Sequence, residues 1–301
     1  MTAFALLLAM PALALLAGGY LGGRHPAGDA AAPFRPHCAA VLMGLAVLLT
    51  LFGPGWLALL VALPALAALA EPVARRLAPP GAGPVAVYQK NLHFRTDDVA
   101  SVIWDVEATR PDVILLQEVS PSNEGVLPLL ARSHPMQHRC AQEEVGNVAI
   151  LSRWTALPGT AHCLDGAAVV RVMAPQGPLW LVSIHLRWPW PWPQTGQVER
   201  LAAALSELDG PKVIGGDLNA APWSDAVRRL EDATGTRTLR PAPATHRIGG
   251  LVPVAIDHVL ATGPGTLERR PLAHSDHHGV LARVAPFVSG AQALRRASSK
   301  G

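Results

Sequence analysis

Val213-Ile214-Gly215-Gly216-Asp217-Leu218-Asn219 reads as a short buried strand that runs through a glycine pair into an acid and an amide. Taken alone, the glycines make a tight turn and Asp217-Leu218-Asn219 an Asx-bonded loop. The pattern recurs along the chain, however. Val85-Ala86-Val87-Tyr88 leads to Asn91, Val113-Ile114-Leu115-Leu116 to Glu118, and Trp180-Leu181-Val182-Ser183-Ile184 to His185. Val254-Ala255-Ile256 leads to Asp257-His258, and Ser275 precedes Asp276-His277. Individually these read as a solvated glutamate, a core histidine or a surface pair. Packed with their strand ends together, they converge on one rim, which is how a rigid scaffold builds a site.

Helical stretches separate the strands. Thr96-Asp97-Asp98 is an N-cap signal for a helix through about Thr109, which Pro111 stops. Gln194 to Leu208 places Val198, Leu201, Leu205 and Leu208 on one helical face. Val148-Ala149-Ile150-Leu151 and Val280-Leu281-Ala282-Arg283-Val284 are further strands. Interleaved helices and this many strands predict an α/β domain with two sheets over residues 85–286.

Composition narrows the reading. Half of the 301 residues are apolar and 16% are charged, which excludes a disordered chain. A net charge of +3, with lysine only at Lys90, Lys212 and Lys300, provides no basic stripe for a long polyanion. Nucleic acid thus stays open only as a substrate, and no protein partner is legible. Cys38, Cys140 and Cys163 lack CxxC spacing, which excludes structural zinc. Cys140 and Cys163 lie near the ends of two predicted adjacent strands, as a disulfide or as two buried thiols.

Residues 1–70 carry three charged side chains, Arg24, Asp29 and Arg35. This predicts a membrane anchor over 1–76 with three segments, about 3–22, 38–52 and 56–70, turning at Gly53-Pro54-Gly55. A cleaved signal peptide is the alternative for the first, although its start has no Lys or Arg. A Pro/Gly linker follows at 77–84, and a disordered tail is expected over 287–301. Arg24, Arg35, Arg75 and Arg76 favour a cytoplasmic domain by the positive-inside rule. A Cys140–Cys163 disulfide would favour the opposite side.

Taken together, Lys90-Asn91-Leu92, Leu116-Gln117-Glu118, Ala149-Ile150-Leu151-Ser152-Arg153, Ser183-Ile184-His185-Leu186, Gly216-Asp217-Leu218-Asn219, Ile256-Asp257-His258-Val259-Leu260 and Ser275-Asp276-His277 resemble the endonuclease/exonuclease/phosphatase superfamily. These DNase I-like, metal-dependent phosphoesterases include nucleases and bacterial sphingomyelinases. The resemblance covers about residues 85–285. It implies a four-layer α/β sandwich, two mixed β-sheets flanked by helices, here preceded by transmembrane helices. The anchor looks like that of a bacterial branch tethered to the inner membrane, with the catalytic domain outside the cytoplasm. Gly279 stands where the last motif commonly has proline, and His278 doubles His277.

The chemistry so implied is hydrolysis of a phosphodiester or phosphomonoester of nucleic acid, a nucleotide or a phospholipid headgroup. Glu118, helped by Asn91 and with Asp276 as a second-site ligand, would hold Mg²⁺, or alternatively Mn²⁺. Asp217 would orient or deprotonate water, and Asn219 would hold the phosphate or that water. His277, fixed by Asp257, would stabilise the transition state, and His185 would donate to the phosphate. Arg153 is a weaker candidate for a phosphate contact, and its reading as an exposed strand-end charge is preferred. Trp188, Trp190 and Trp192 form a proline-stiffened loop that plugs the core, stacks on bases or enters the bilayer interface. A non-catalytic module that kept the sandwich is the competing function.

Overall fold

The computed structural model describes residues 2–77, 83–142 and 145–287. The expected linker at 77–84 and tail at 287–301 fall largely outside them. The chain opens with α1 (Thr2–Gly18), α2 (Ala27–Ala31), α3 (Arg35–Phe52) and α4 (Gly55–Arg76). Next come β1 (Val85–Asn91), α5 (Ala100–Thr109), β2 (Val113–Val119), α6 (Val126–Leu130), β3 (Met136–Cys140) and β4 (Asn147–Ser152). They are followed by β5 (His162–Leu164), β6 (Ala167–Ala174), β7 (Gly177–His185), α7 (Gln194–Ser206), β8 (Lys212–Asp217) and α8 (Asp225–Thr234). The last are β9 (Arg237–Thr238), β10 (His246–Ile248), β11 (Val252–Val254), β12 (Asp257–Ala261), β13 (Gly265–Arg269) and β14 (Val280–Val284).

The strands form two six-stranded mixed sheets, ordered β13-β14-β1-β2-β4-β3 and β5-β6-β7-β8-β12-β9, with β10-β11 as a separate hairpin. Val87, Val113, Leu115 and Ile150 of the first sheet meet Val170, Leu181, Val213 and Val259 of the second in a buried core. On the outer faces, α5 packs Val102 and Val106 on Ile114 and Leu116, while α7 and α8 cover Val182, Ile214 and Leu260. The predicted four-layer sandwich is therefore observed.

Alternation along each strand decides which polar residues enter the gap between the sheets. Val87 and Val113 face inward, so Asn91 and Gln117 do as well. Leu181 and Val213 face inward, and with them His185 and Asp217. Gly215 shares that face, where a Cβ would come within 2.6 Å of Leu115 Cδ1. The glycine pair, which taken alone could serve only a tight turn, thus lies inside β8, and Gly215 allows the sheets to approach.

Strand bounds and strand direction refine two sequence readings. Val254-Ala255-Ile256 is not one strand, since β11 ends at Val254 and β12 begins at Asp257. Because β12 runs antiparallel to β8, its first residue sits opposite the last of β8, pairing Asp257 with Asp217. Likewise β4 runs antiparallel to β2, and Ser152 pairs with Val113. Arg153 therefore lies at the end of the sheet away from Glu118, where its amide donates to Asp112 O.

The N-terminal helices pack against one another through Ala9, Ala39, Leu42, Leu49, Val61 and Ala65. Their bounds differ from the uncharged runs: α1 stops at Gly18 rather than about 22, α3 starts before 38, and α4 continues past 70. The reason is local neutralisation. Buried Arg35 lies 3.2 Å from Glu71, and Glu71 lies 3.6 Å from Arg75, so charged residues continue both helices. The segment from Ala27 through α3, and α4, are each long and apolar enough to cross a bilayer, whereas α1 is shorter. The helices turn at Gly53-Pro54, as expected.

The connection between α1 and α3 docks on the α/β domain. Both Asp29 carboxylate oxygens accept from the first turn of α8, from Asp225 N at 2.7 Å and Ala226 N at 2.9 Å. Trp223 Nε1 donates to Ala32 O at 2.8 Å, and Ala242 N to Arg75 O at 2.9 Å. Cys140 and Cys163 form a disulfide joining β3 to β5, one edge strand from each sheet, while Cys38 is a free buried thiol.

Because Asp29 satisfies two otherwise open helix-terminal amides, Asp29→Ala is expected to destabilise the full chain by about 1–2 kcal/mol. Thermal unfolding in detergent should register this as a fall of roughly 2–8 °C. An unchanged midpoint would show that the docked segment contributes nothing to the stability of the domain.

Candidate active site

Asn91, Glu118, His185, Asp217 and Asp257 arrive at the same end of the sandwich on five different strands. Asn91 Nδ2 donates to Glu118 Oε1 at 2.9 Å and to Asp217 Oδ2 at 3.0 Å. Strict alternation would send Glu118 to the outer face with Leu116. A register shift between Leu116 and Val119, and a φ of 58° at Glu118, turn its carboxylate back to Asn91 and the Phe94 amide. Asp217 Oδ1 accepts from Asn219 N at 2.9 Å, and Asn219 Nδ2 donates to Leu186 O. Asn219 Oδ1 is buried without a partner among the described residues.

His277 enters from the loop before β14. Its Nδ1 lies 2.8 Å from Asp257 Oδ2, and its Nε2 lies 3.7 Å from Asp217 Oδ2. Ser275 Oγ donates to Asn91 O and accepts from His277 N, tying this loop to β1. Lys90 Nζ holds the loop from beneath by donating to the carbonyls of Leu272 and His277. His278 instead turns away, toward Arg270 O, and it is His277 that faces Asp217. A Cβ at Gly279 would approach Tyr88 Oη within 3.0 Å, which leaves little room for a larger residue there.

Burial and pairing separate the acids. Burial pushes the Asp217 carboxyl up to about 7, with neighbouring Asp257 acting in the same direction against His277. Burial also works to raise Asp257, but the charge and hydrogen bond of His277 outweigh it and hold the carboxyl at about 2. Burial opposes charge on His277, yet Asp257 and Asp217 lift it to about 10. The site therefore holds a fixed imidazolium–carboxylate pair beside a carboxylate that exchanges a proton near neutral pH. Burial, and then the charge of His277, lower His185 to about 4. Its Nδ1 bonds Gln142 Oε1 at 3.1 Å, and Nε2 lies 3.8 Å from both Glu118 and Asp217. With Nδ1 against the Gln142 amide oxygen, His185 turns its Nε2 toward the cavity.

Glu118, His185, Asp217, Asn219, Asp276 and His277 line a single cavity of about 300 Å³. Asp276 sits half-exposed on its rim, 4.0 Å from His277 Nε2. Arg153 is not among its lining residues. Trp188 and Trp192 form part of the wall, whereas Trp190 faces His25. All three indoles are largely exposed, so the loop does not plug the core.

Several contributing residues carry no strand-end signal. His246, on the β10–β11 hairpin, stacks on His277 with ring centroids 4.4 Å apart. Gln142 and Gln89 act through partners distant in sequence. Gln89 Nε2 donates to Gln117 Oε1 at 2.7 Å and Asp257 Oδ1 at 3.0 Å, and Gln117 bonds Ser183 Oγ across the sheets. An amide at an inward-facing strand position was the available signal for Gln89.

The sequence profile described as Endonuclease/Exonuclease/phosphatase family matches residues 90–279, which span all of these groups except Gln89. The chain belongs to this family. Endonuclease/exonuclease/phosphatase members are hydrolases of phosphate esters that use divalent metal ions, and this chain has acidic and histidine groups able to bind one. An endonuclease/exonuclease/phosphatase family protein from Leptotrichia buccalis C-1013-b is similar in structure at a TM-score of 0.54 and 11% identity. The likeness covers 67% of this chain and 99% of that one. Truncated Caenorhabditis elegans TDP2 is similar at a TM-score of 0.54 and 16% identity, over 68% of this chain and 98% of that one. These identities speak for the fold alone. A search of curated proteins by sequence gives no match.

Asp217→Asn and His277→Ala are each expected to lower kcat/KM for bis-p-nitrophenyl phosphate by about two to four orders of magnitude. Arg153→Ala, at the far end of the sheet, should stay within about twofold of the parent. Equal losses in all three would refute the assignment.

Proposed function

We propose that the protein is a membrane-anchored phosphoesterase that hydrolyses a phosphodiester or phosphomonoester with Mg²⁺, its catalytic domain outside the cytoplasm. The observation that carries the reading is the convergence of Asp217 with the Asp257–His277 pair and with Glu118–Asn91 on one cavity.

The donor set fits a divalent cation. His185 Nε2 lies 3.8 Å from both the Glu118 and Asp217 carboxylates, and Asn91 Nδ2 bridges the two acids, a place a cation would take once the Asn91 amide turns its oxygen inward from the His93 amide. Buried Asn219 Oδ1 adds an acceptor without a partner among the described residues. Hard oxygen ligands suit Mg²⁺, and Glu118 with Asn91 would hold it, with Asp276 on the rim. When bound, the ion supplies Lewis-acid polarisation of the phosphoryl oxygens.

The chain's own groups do the rest. Asp217 takes a proton from water, whose oxygen bonds to phosphorus as the ester P–O bond breaks. The proton ends on the leaving oxygen. His277, kept charged by Asp257, lies where it balances the negative charge that grows on the phosphoryl group. Asn219 orients the water or the phosphate. The intact polar set favours catalysis over the non-catalytic alternative.

Two observations support the anchor and its side. The outward faces of the N-terminal helices carry Leu7, Met10, Leu51, Leu59 and Leu63, each about 60% exposed or more, a surface suited to lipid rather than water. Arg35 and Arg75 are engaged in docking and in ion pairs, which accounts for them without the positive-inside rule. The Cys140–Cys163 disulfide then favours an oxidising, extracytoplasmic location.

EDTA is expected to abolish diester hydrolysis and excess Mg²⁺ to restore it, with Glu118→Gln requiring more Mg²⁺. Activity that survives chelation would overturn the metal assignment. On intact cells, an impermeant reductant followed by an impermeant maleimide should label Cys140 and Cys163. Labelling only after lysis would place the domain in the cytoplasm.

A further inference from the structure

Both flanks of the catalytic mouth lead back to the helical bundle. On one flank, Trp188 and Trp192 border the cavity, while Trp190, 53% exposed, lies edge-on to His25 with ring centroids 6.3 Å apart. His25 belongs to the connection from α1 to α2, at the domain-side end of the bundle, where Tyr20 and Leu21 are also exposed. The aromatic rim is thus continuous with the docked face of the anchor. Asp29 and Trp223 fix that face to the domain within a few residues of His25.

On the other flank, His246 and Asp276 line the catalytic cavity and also a neighbouring cleft of about 470 Å³. Arg247 and Arg269 line that cleft, and among the described residues neither forms an ion pair. Ala244 and Pro253 of the cleft also line a crevice against Pro33, Pro36 and Arg76 of the bundle. An aromatic edge and a cationic edge, each reaching the helix ends, match the polarity of a bilayer surface with anionic headgroups. A polynucleotide would need a longer run of phosphate contacts than these two arginines provide.

We propose that the catalytic mouth opens at the surface of the membrane that holds the anchor, and that its substrate is a lipid phosphate ester of that membrane. The proposal rests on the membrane-anchored hydrolase reading above. Trp190 seats among the headgroups, Arg247 and Arg269 face their anionic groups, and the scissile phosphate enters between Glu118 and His277. Water's oxygen bonds to phosphorus, the P–O bond to the lipid's alcohol breaks, and water's proton passes to that alcohol.

The test uses the full chain reconstituted in vesicles of phosphatidylglycerol and phosphatidylethanolamine containing phosphatidylcholine brominated high on its acyl chains. Trp190→Phe should remove part of the bromine-quenched tryptophan fluorescence. Trp104→Phe, on α5 and 68% exposed, should leave the quenched component unchanged. Trp190→Ala should slow consumption of vesicle phospholipid by about fivefold or more, the scale of one lost aromatic anchor, and leave bis-p-nitrophenyl phosphate turnover within about twofold. Three results each overturn the proposal: quenching unchanged in Trp190→Phe, equal loss on both substrates, or diester turnover with no lipid consumed. Absence of diester turnover would overturn the hydrolase reading and the substrate claim together, while quenching would still report the seating of Trp190.

Discussion

Two sheets face each other across an apolar core that gives way, at one end, to a layer of buried polar groups. The buried Asp257–His277 pair, at 2.8 Å, is the interaction on which that layer depends. A buried carboxylate is costly unless it is paired and fully hydrogen-bonded. Here His277 and Gln89 satisfy both oxygens of Asp257, and Gln117 and Ser183 continue the bonding across the sheets. With Asp257 held ionised, His277 stays charged, and the rise in Asp217 follows from burial beside a second acid. Strand parity does the positioning, because the same inward-facing alternation that builds the core delivers Asn91, His185, Asp217 and Asp257 to one rim.

Legibility in the sequence followed strand order. Parallel strands, such as β1 with β2 and β7 with β8, end at the same rim, so the residues after them were found directly. Antiparallel neighbours reverse that logic. Asp257 reaches the rim although it opens its strand, whereas Arg153, after an antiparallel strand, is the exposed strand-end charge that the sequence reading preferred to a phosphate contact. His246 and Gln142 were missed because hairpin and loop contacts have no period to read. The helix bounds were misjudged because charge counting does not register that Arg35 and Glu71 neutralise each other inside the bundle.

The N-terminal helices are docked on the α/β domain. Asp29 caps α8, Trp223 bonds Ala32, and Arg75 lies 3.8 Å from Glu231, so the bundle and the domain share one interface. A docked bundle fixes where the mouth of the polar cavity points relative to the helices, and Trp188 and Trp192 border that mouth. The same few contacts set the orientation of that cavity relative to the bundle.

Crystals soaked in Mn²⁺ and measured at its absorption edge test the central claim most directly. The account predicts an anomalous peak within roughly 2.3 Å of the Glu118 carboxylate, in contact with the Asn91 amide and inside the cavity shared with Asp217 and His277. A site confined to the disulfide side of the domain, or no ordered ion beside Glu118 at saturating Mn²⁺, would contradict it.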